Sequence, residues 1–202
     1  MADTLAIMKI SPVIPVVTVD SVEQALSMAG EFHAAGLKII EITRRTPAGL
    51  EAASAIAKEY PDICLGIGTV WDATQARQAI EAGAEFMVSP GITDEVGEVC
   101  REANLAYLPG AQTTSEIAYL VRQGWTEIKL FPAAVAGGPA AIKAFSAVFP
   151  EVTFCPTGGV SEDNAEDYLA LSNVACVGGS WLTKPGDDSI QSVAERAVRL
   201  GG

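Results

Sequence analysis

Short apolar runs alternate with longer stretches of helical periodicity along the whole chain. Runs of this length and composition are typical of strands buried on both faces of a parallel sheet. The pattern predicts eight such strands, at residues 13–17, 37–42, 63–67, 86–89, 106–108, 127–131, 152–156 and 174–177.

Between these runs, the periodicity predicts helices. They span residues 21–35, 48–60, 74–82, 94–103, 115–123, 139–148, 162–170 and 189–200. Most of them begin near an Asp, Ser or Thr residue, whose side chain suits an N-cap. Glycines at 36, 83 and 124 follow three of the helices, where a left-handed residue commonly ends a helix.

Strict alternation of strands and helices implies parallel strands joined by crossover helices. Eight such units predict a (β/α)₈ TIM barrel, an α/β fold in which residues 1–202 form one domain. A doubly wound open sheet is the alternative, but segment 16–20, VVTVD, has none of the glycines of a dinucleotide-binding turn.

One lysine interrupts the predicted strand in the segment WTEIKLFP, residues 125–132. On the two-residue period of a strand, Ile128 and Leu130 face one way while Lys129 and Phe131 face the other, towards the barrel interior. Burial disfavours the charged ammonium, and a neutral amine can attack a carbonyl carbon. A structural lysine held by an ion pair is the alternative interpretation.

Further polar side chains follow the same alternation at the ends of other strands. Glu41, Thr43 and Arg45 are expected on the inner side of the second strand, and Ile67 and Thr69 on the inner side of the third. Because catalytic groups of such barrels gather at the carboxyl ends of the strands, these groups should meet Lys129 there. An ionised Glu41 favours the lysine ammonium, so it opposes the effect of burial.

Glycine pairs follow the last two predicted strands, in the segments TGG at 157–159 and GGS at 178–180. Backbone amides in such turns bind anions, and this is where many barrels hold a phosphate group. A pair of tight turns without a ligand is the structural alternative.

Composition narrows the class of protein. The formal charge of −12 and a single histidine leave no basic surface for nucleic acid or anionic membranes. The four cysteines are widely spaced and suggest reduced core residues of a cytoplasmic protein. Neither a secretory leader nor an apolar run long enough to cross a membrane is recognisable.

Six motifs, in order, identify a family resemblance. They are EITRRT at 41–46, GIGT at 66–69, VSPG at 88–91, KLFPA at 129–133, CPTGG at 155–159 and GGSW at 178–181. The chain resembles the 2-dehydro-3-deoxy-phosphogluconate (KDPG) and 4-hydroxy-2-oxoglutarate (KHG) aldolases from about residue 12 to residue 181. The resemblance implies a cytoplasmic homotrimer of the Entner–Doudoroff route. Such an enzyme needs no metal or other cofactor and splits 2-dehydro-3-deoxy-6-phosphogluconate into pyruvate and glyceraldehyde 3-phosphate.

The same resemblance implies roles for individual residues. Lys129 would form a Schiff base with the 2-oxo acid, and Glu41 would act as general acid and base. The residues of the pyruvyl pocket would be Arg45, Thr69, Pro90 and Phe131. The amides around Gly158, Gly159, Gly179 and Ser180 would hold the distal phosphate. Thr157, together with Ser180, would contribute to stereochemical control.

Three positions depart from the family pattern. Arg44 replaces an apolar residue and is expected to point away from the barrel axis, Ile67 replaces Ala, and Ala134 replaces a Glu in the loop after the lysine strand. An enzyme preferring 4-hydroxy-2-oxoglutarate or the galactonate epimer remains an alternative with the same site. A noncatalytic sugar-acid binding barrel is a second alternative, although binding alone needs neither Lys129 nor Glu41.

Overall fold

Parallel strands and helices alternate along the chain, as the pattern of apolar residues predicts. The computed structural model describes residues 2–184 and 186–201. Its strands are β1 (Val13–Val17), β2 (Ile39–Thr43), β3 (Cys64–Gly68), β4 (Phe86–Val88), β5 (Ala106–Leu108), β6 (Gly110–Ala111), β7 (Glu127–Leu130), β8 (Thr153–Pro156) and β9 (Val177–Gly179). Every paired set of these strands is parallel.

Helices connect the strands and cover the outer face. They are α1 (Thr4–Met8), α2 (Val22–Ala34), α3 (Gly49–Glu59), α4 (Ala73–Glu81), α5 (Asp94–Glu102), α6 (Thr114–Arg122), α7 (Gly138–Ser146), α8 (Ala165–Leu169) and α9 (Ile190–Val198), with a 3₁₀-helix at Trp181–Thr183. No helix of the described residues combines the length and the apolar composition that crossing a membrane requires.

Most of the predicted elements are confirmed within a few residues. Each predicted strand overlaps an observed one, although the last shares only Val177 with β9. The sequence pattern did not reveal α1, β6 or the 3₁₀-helix, because elements of two to five residues carry too little periodicity. Side chains of Ser21, Asp72, Thr93, Thr113 and Ser189 cap helices as expected. The three predicted C-cap glycines have positive φ.

The strands form two hydrogen-bonded sheets. One has the order β5-β4-β3-β2-β1-β9 and the other β6-β7-β8. Pro109 separates β5 from β6, since proline has no N–H for a sheet ladder. One isolated bridge joins Phe154 of β8 to Val174, which precedes β9, and another joins Thr157, directly after β8, to Gly178 of β9. The protein is therefore an α/β domain with parallel strands, and the strands within residues 2–184 and 186–201 do not make a single eight-stranded sheet.

Register between β2 and β3 corrects the expected orientation of Ile67. Glu41 is aligned with Gly66, and Ile42 with Ile67. A Cβ built on Gly68 would meet the Glu41 carboxylate, so the β3 glycines occupy the inner side. Ile67 therefore lies on the helix side with Ile42, and the expectation that it points inward was wrong. The residues of β3 that face inward are Gly66 and Gly68.

Candidate active site

Lys129 and Glu41 form a buried pair inside the strand layer. The Lys129 Nζ atom lies 3.3 Å from Glu41 Oε1, and it donates hydrogen bonds to both carboxylate oxygens. The residues are only 5% and 3% exposed. Water cannot compensate for losing one partner of such a pair, so each group depends on the other.

Strand register places these two side chains on the inner surfaces of the two sheets. Lys129 on β7 is aligned with Gly110 and Cys155, while Glu41 on β2 is aligned with Val16 and Gly66. In each parallel pair, aligned residues point to the same face of the sheet. The lysine and the carboxylate are 88 residues apart in sequence, and the two sheets bring them into contact.

A cavity of about 180 Å³ opens beside this pair at the carboxyl ends of the strands. The Phe131 ring connects the two, because its centroid lies 5.4 Å from Lys129 Nζ and the residue also lines the cavity. Six of the predicted site residues lie around this space. The full lining comprises Val16, Arg45, Phe131, Thr157, Gly158, Gly159, Val160, Gly178 and Ser180.

The two adjacent arginines after β2 point in different directions. Arg45 is exposed and lines the cavity. Arg44 turns to the outside, where its Nη2 atom donates to Gln78 Oε1 on α4 at 2.8 Å. Partial burial lowers the pKa of the Arg44 guanidinium, whereas the charge of Asp72 acts in the opposite direction. Orientation away from the cavity agrees with the expectation for Arg44, so the two arginines do not compete for one ligand.

The loop after β8 is attached to the loop after β7 by backbone hydrogen bonds. Ala133 N–H donates to the Thr157 carbonyl at 2.8 Å, and Ala134 N–H donates to the Gly158 carbonyl at 3.0 Å. Gly158 and Gly159 both have positive φ, and a Cβ on Gly159 would lie 2.4 Å from the Ala134 Cβ. Ala134 therefore supports the glycine turn through close packing.

Lys129 and Glu41 lie behind Phe131 and are not part of the cavity lining, and three further predicted site residues, Thr69, Pro90 and Gly179, do not line it either. Thr69 follows the end of β3 with a left-handed φ of 64°, which interrupts the alternation used to place it. The Pro90 backbone packs against Gly110, and the missing side chain of Gly179 leaves space for the Trp181 ring. Their proposed contacts with substrate remain predictions.

Sequence reasoning missed the cavity residues Val16 and Val160, and it placed Gly178 in an anion-binding turn without assigning it a contact of its own. Gly178 has the clearest structural role, because a Cβ there would lie 2.2 Å from Thr157 Oγ1. Thr157 is 6% exposed, and among the described residues its hydroxyl makes only long contacts, at 3.5 Å to the Cys155 carbonyl and 3.8 Å to the Cys155 thiol. Alternation applied backwards from Ser180 would have identified Gly178.

The buried Cys155 lies beside Lys129 on the adjacent strand β8, and the buried Cys176 interacts with Cys155. A hydrogen bond from Cys176 lowers the pKa of the Cys155 thiol, and the positive charge of Lys129 acts in the same direction. The same thiol–thiol hydrogen bond and burial raise the pKa of Cys176. All four cysteines are free. Within residues 2–184 and 186–201, no three His, Cys, Asp or Glu side chains are grouped to hold a metal ion.

The arrangement suits chemistry on a carbonyl compound that carries negative charge. A lysine amine and a carboxylate in contact can supply a nucleophile and a proton carrier. Arg45 offers a planar fork to a carboxylate, and the glycine turns offer backbone amides to a second anionic group.

Comparisons with known proteins point to one family. The family model for KDPG and KHG aldolase matches residues 5–195. The 2-dehydro-3-deoxy-phosphogluconate aldolase of Pseudomonas aeruginosa is 48% identical over 170 residues, which are 84% of this chain and 77% of that protein.

Solved structures give the same result. The 2-keto-3-deoxy-6-phosphogluconate aldolase of Zymomonas mobilis, crystallised with 3-phosphoglycerate, has a TM-score of 0.93 at 37% identity, covering 99% of this chain and 97% of that one. The KDPG aldolase of Legionella pneumophila, with pyruvate captured at low pH as a covalent carbinolamine intermediate, has a TM-score of 0.89 at 38% identity, with the same coverage.

Proposed function

The chain belongs to the KDPG and KHG aldolase family, and we propose that it is a class I aldolase. Its substrate is 2-dehydro-3-deoxy-6-phosphogluconate, which it cleaves to pyruvate and D-glyceraldehyde 3-phosphate. The observation that carries the proposal is the buried contact of 3.3 Å between Lys129 Nζ and Glu41 Oε1 beside a cavity.

Schiff-base formation uses both members of this pair. Attack on the 2-oxo carbon requires an uncharged amine, and Glu41 is the carboxylate within reach of the Lys129 proton. The amine adds to the carbonyl to give a carbinolamine. Protonation of its hydroxyl by Glu41 releases water and leaves the iminium.

Carbon–carbon cleavage then uses the iminium as an electron sink. Glu41 takes the proton of the C4 hydroxyl as the C3–C4 bond breaks, which releases the aldehyde and leaves an enamine on Lys129. Glu41 returns a proton to the enamine carbon, and water hydrolyses the resulting pyruvyl Schiff base. One carboxylate serves each step because it stays next to the amine.

Binding of the substrate falls to the residues around the cavity. Arg45 holds the carboxylate next to the 2-oxo group, and Phe131 packs on the pyruvyl part. Amides of Gly158 and Gly159, with Ser180, hold the distal phosphate, while Thr157 contacts the sugar hydroxyls. Support comes from their common position around the cavity.

Thr69 and Pro90 at the pyruvyl end and Gly179 at the phosphate end complete the proposed site. Resemblance to the family motifs supports these three assignments. The substrate itself could bring the Thr69 hydroxyl and the Gly179 amide into contact through small adjustments of the turns that carry them.

We further propose that residues 1–202 form one closed (β/α)₈ barrel, which assembles as a cytoplasmic homotrimer. Continuation of the chain through Pro109 from one sheet to the other supports closure on one side. The Thr157–Gly178 bridge supports it on the other. Family resemblance supports the trimer, and sedimentation equilibrium of the purified chain would test it.

Borohydride trapping tests the mechanism. With pyruvate present, reduction should leave a carboxyethyl group on the peptide that contains Lys129, and mass spectrometry should locate it. Omitting pyruvate provides the control. Absence of an adduct, or an adduct on Lys38 or Lys143, would reject the Schiff-base role of Lys129.

Cleavage rates test the substrate. The rate of cleavage of 2-dehydro-3-deoxy-6-phosphogluconate should exceed that of 4-hydroxy-2-oxoglutarate, because the glycine turns provide a site for phosphate. It should also exceed that of the galactonate epimer, because Thr157 contacts the sugar hydroxyls. Faster cleavage of 4-hydroxy-2-oxoglutarate, which has no phosphate, would make that compound the preferred substrate.

A further inference from the structure

Gly68 lies at the end of β3, directly against the Glu41 side chain. A Cβ built on Gly68 would lie 1.9 Å from Glu41 Oε1, 2.6 Å from Cδ and 2.9 Å from Cγ. The three nearest heavy atoms therefore all belong to one residue. Real Cβ atoms essentially never approach another heavy atom this closely. The Glu41 carboxylate occupies the space that any side chain at position 68 would need.

Backbone conformation does not account for the glycine. Gly68 is a strand residue and does not have the positive φ that favours glycine. It pairs with Thr43 on β2 and with Val88 on β4, so strands on both sides hold its backbone. A new side chain could not be accommodated by moving β3 away, and Glu41 would have to move instead.

Besides its hydrogen bonds to Lys129, the Glu41 carboxylate is held by close packing. In the part of the chain that the structure describes, Glu41 accepts hydrogen bonds only from Lys129. No second donor fixes the direction of its side chain there. The Glu41 side chain also packs directly against the surface of β3 at Gly68.

We propose that Gly68 is a positioning residue of the aldolase site, and that its missing side chain lets Glu41 lie against β3 and reach Lys129. This inference rests on the proposed function, because it assigns a role in the proton transfers of Glu41. Gly68 itself touches neither substrate nor reacting atoms. Substitution at this position should impair proton transfer while leaving the Lys129 amine in place.

Exchange of the pyruvate methyl protons with deuterated water measures the proton transfer by NMR, separately from Schiff-base formation. In Gly68→Ala we expect exchange to fall by about 10²- to 10⁴-fold, the usual contribution of a positioned acid or base. Borohydride trapping of pyruvate on Lys129 should be partly retained, because the amine is unchanged. Exchange at the wild-type rate in a folded Gly68→Ala protein would overturn the proposal.

A double-mutant cycle with Glu41→Ala tests whether Gly68 acts through Glu41. That change removes the three atoms that a Cβ at position 68 would meet. Adding Gly68→Ala to it should therefore cause no further loss of exchange. In the Glu41→Ala background, Gly68→Ala should also lower the urea midpoint of unfolding by less than it does in the wild-type chain. Equal losses in both backgrounds would overturn the proposal.

Gly66→Ala is the matched control on the same strand and face. A Cβ at Gly66 would lie 2.1 Å from the Phe86 ring, and its three nearest atoms all belong to Phe86. Removing the Glu41 side chain does not relieve that overlap, so the loss of stability should be the same in both backgrounds.

The unfolding measurements also separate failure of this inference from failure of the proposed function. If Gly68→Ala alone does not fold, the Glu41→Ala/Gly68→Ala protein should still fold, and its failure to do so would count against the proposal. If the wild-type chain neither traps pyruvate nor exchanges its protons, the aldolase function fails. The double-mutant cycle of unfolding in urea would then still show whether a side chain at position 68 and the Glu41 side chain compete for the same space.

Discussion

The floor of the site and its rim are built in different ways. The floor consists of Lys129 and Glu41, both almost fully buried on strands. The rim consists of Arg45, Gly159 and Ser180, which are exposed and lie in the turns that follow strands. Each floor group has a charged partner inside the protein, whereas the rim groups face water until a ligand arrives.

This difference separates chemistry from binding. At the floor, a lost charge cannot be replaced by solvent, so a substitution should act on the rate of the reaction. At the rim, water replaces a lost contact in the free enzyme, and a substitution should act mainly on affinity. Substitutions at the floor should therefore have large effects on kcat, and substitutions at the rim should have smaller effects on KM.

Glu41→Gln should have the largest effect and test the floor. The amide keeps the shape of the side chain but cannot take up a proton, so we expect kcat for cleavage to fall by about 10²- to 10⁴-fold. Trapping of pyruvate on Lys129 should be partly retained, because the amine is unchanged. Steady-state kinetics and mass spectrometry measure the two quantities. Unchanged turnover would remove Glu41 from its proposed role.

Arg45→Lys should have an intermediate effect at the rim. Lysine keeps the charge but loses the planar fork, and losing one charge-assisted hydrogen bond of about 1.5 kcal/mol raises KM about tenfold. Arg44→Lys is the matched control, since Arg44 contacts Gln78 outside the cavity. A larger rise in KM for Arg44→Lys than for Arg45→Lys would show that the carboxylate site has been assigned to the wrong arginine.

Ser180→Ala should have the smallest effect and test the phosphate end of the rim. Loss of one hydroxyl contact worth about 1 kcal/mol should raise KM for the phosphorylated substrate about fivefold. KM for 4-hydroxy-2-oxoglutarate, which has no phosphate, should not change. Equal increases for both compounds would mean that the anion site lies elsewhere.

Much of the site follows from local patterns. The two-residue period of a strand already directs Lys129 and Glu41 to the inner side, and the position of Arg45 two residues beyond β2 places it at the mouth. The same reasoning failed for Ile67, because alternation was started from the wrong residue of β3. It could not place Thr69, whose left-handed backbone interrupts the period.

The amino-acid sequence by itself determined the alternation of strands and helices, the buried lysine and the family to which its motifs belong. These features depend on neighbours along the chain, and periodicity records them directly. The tertiary structure alone decided that Lys129 and Glu41 come within 3.3 Å of each other, that Gly68 leaves room for that carboxylate, and that Gly178 leaves room for Thr157. These contacts join different strands, and their geometry depends on sheet register and close packing, which no single stretch of sequence specifies.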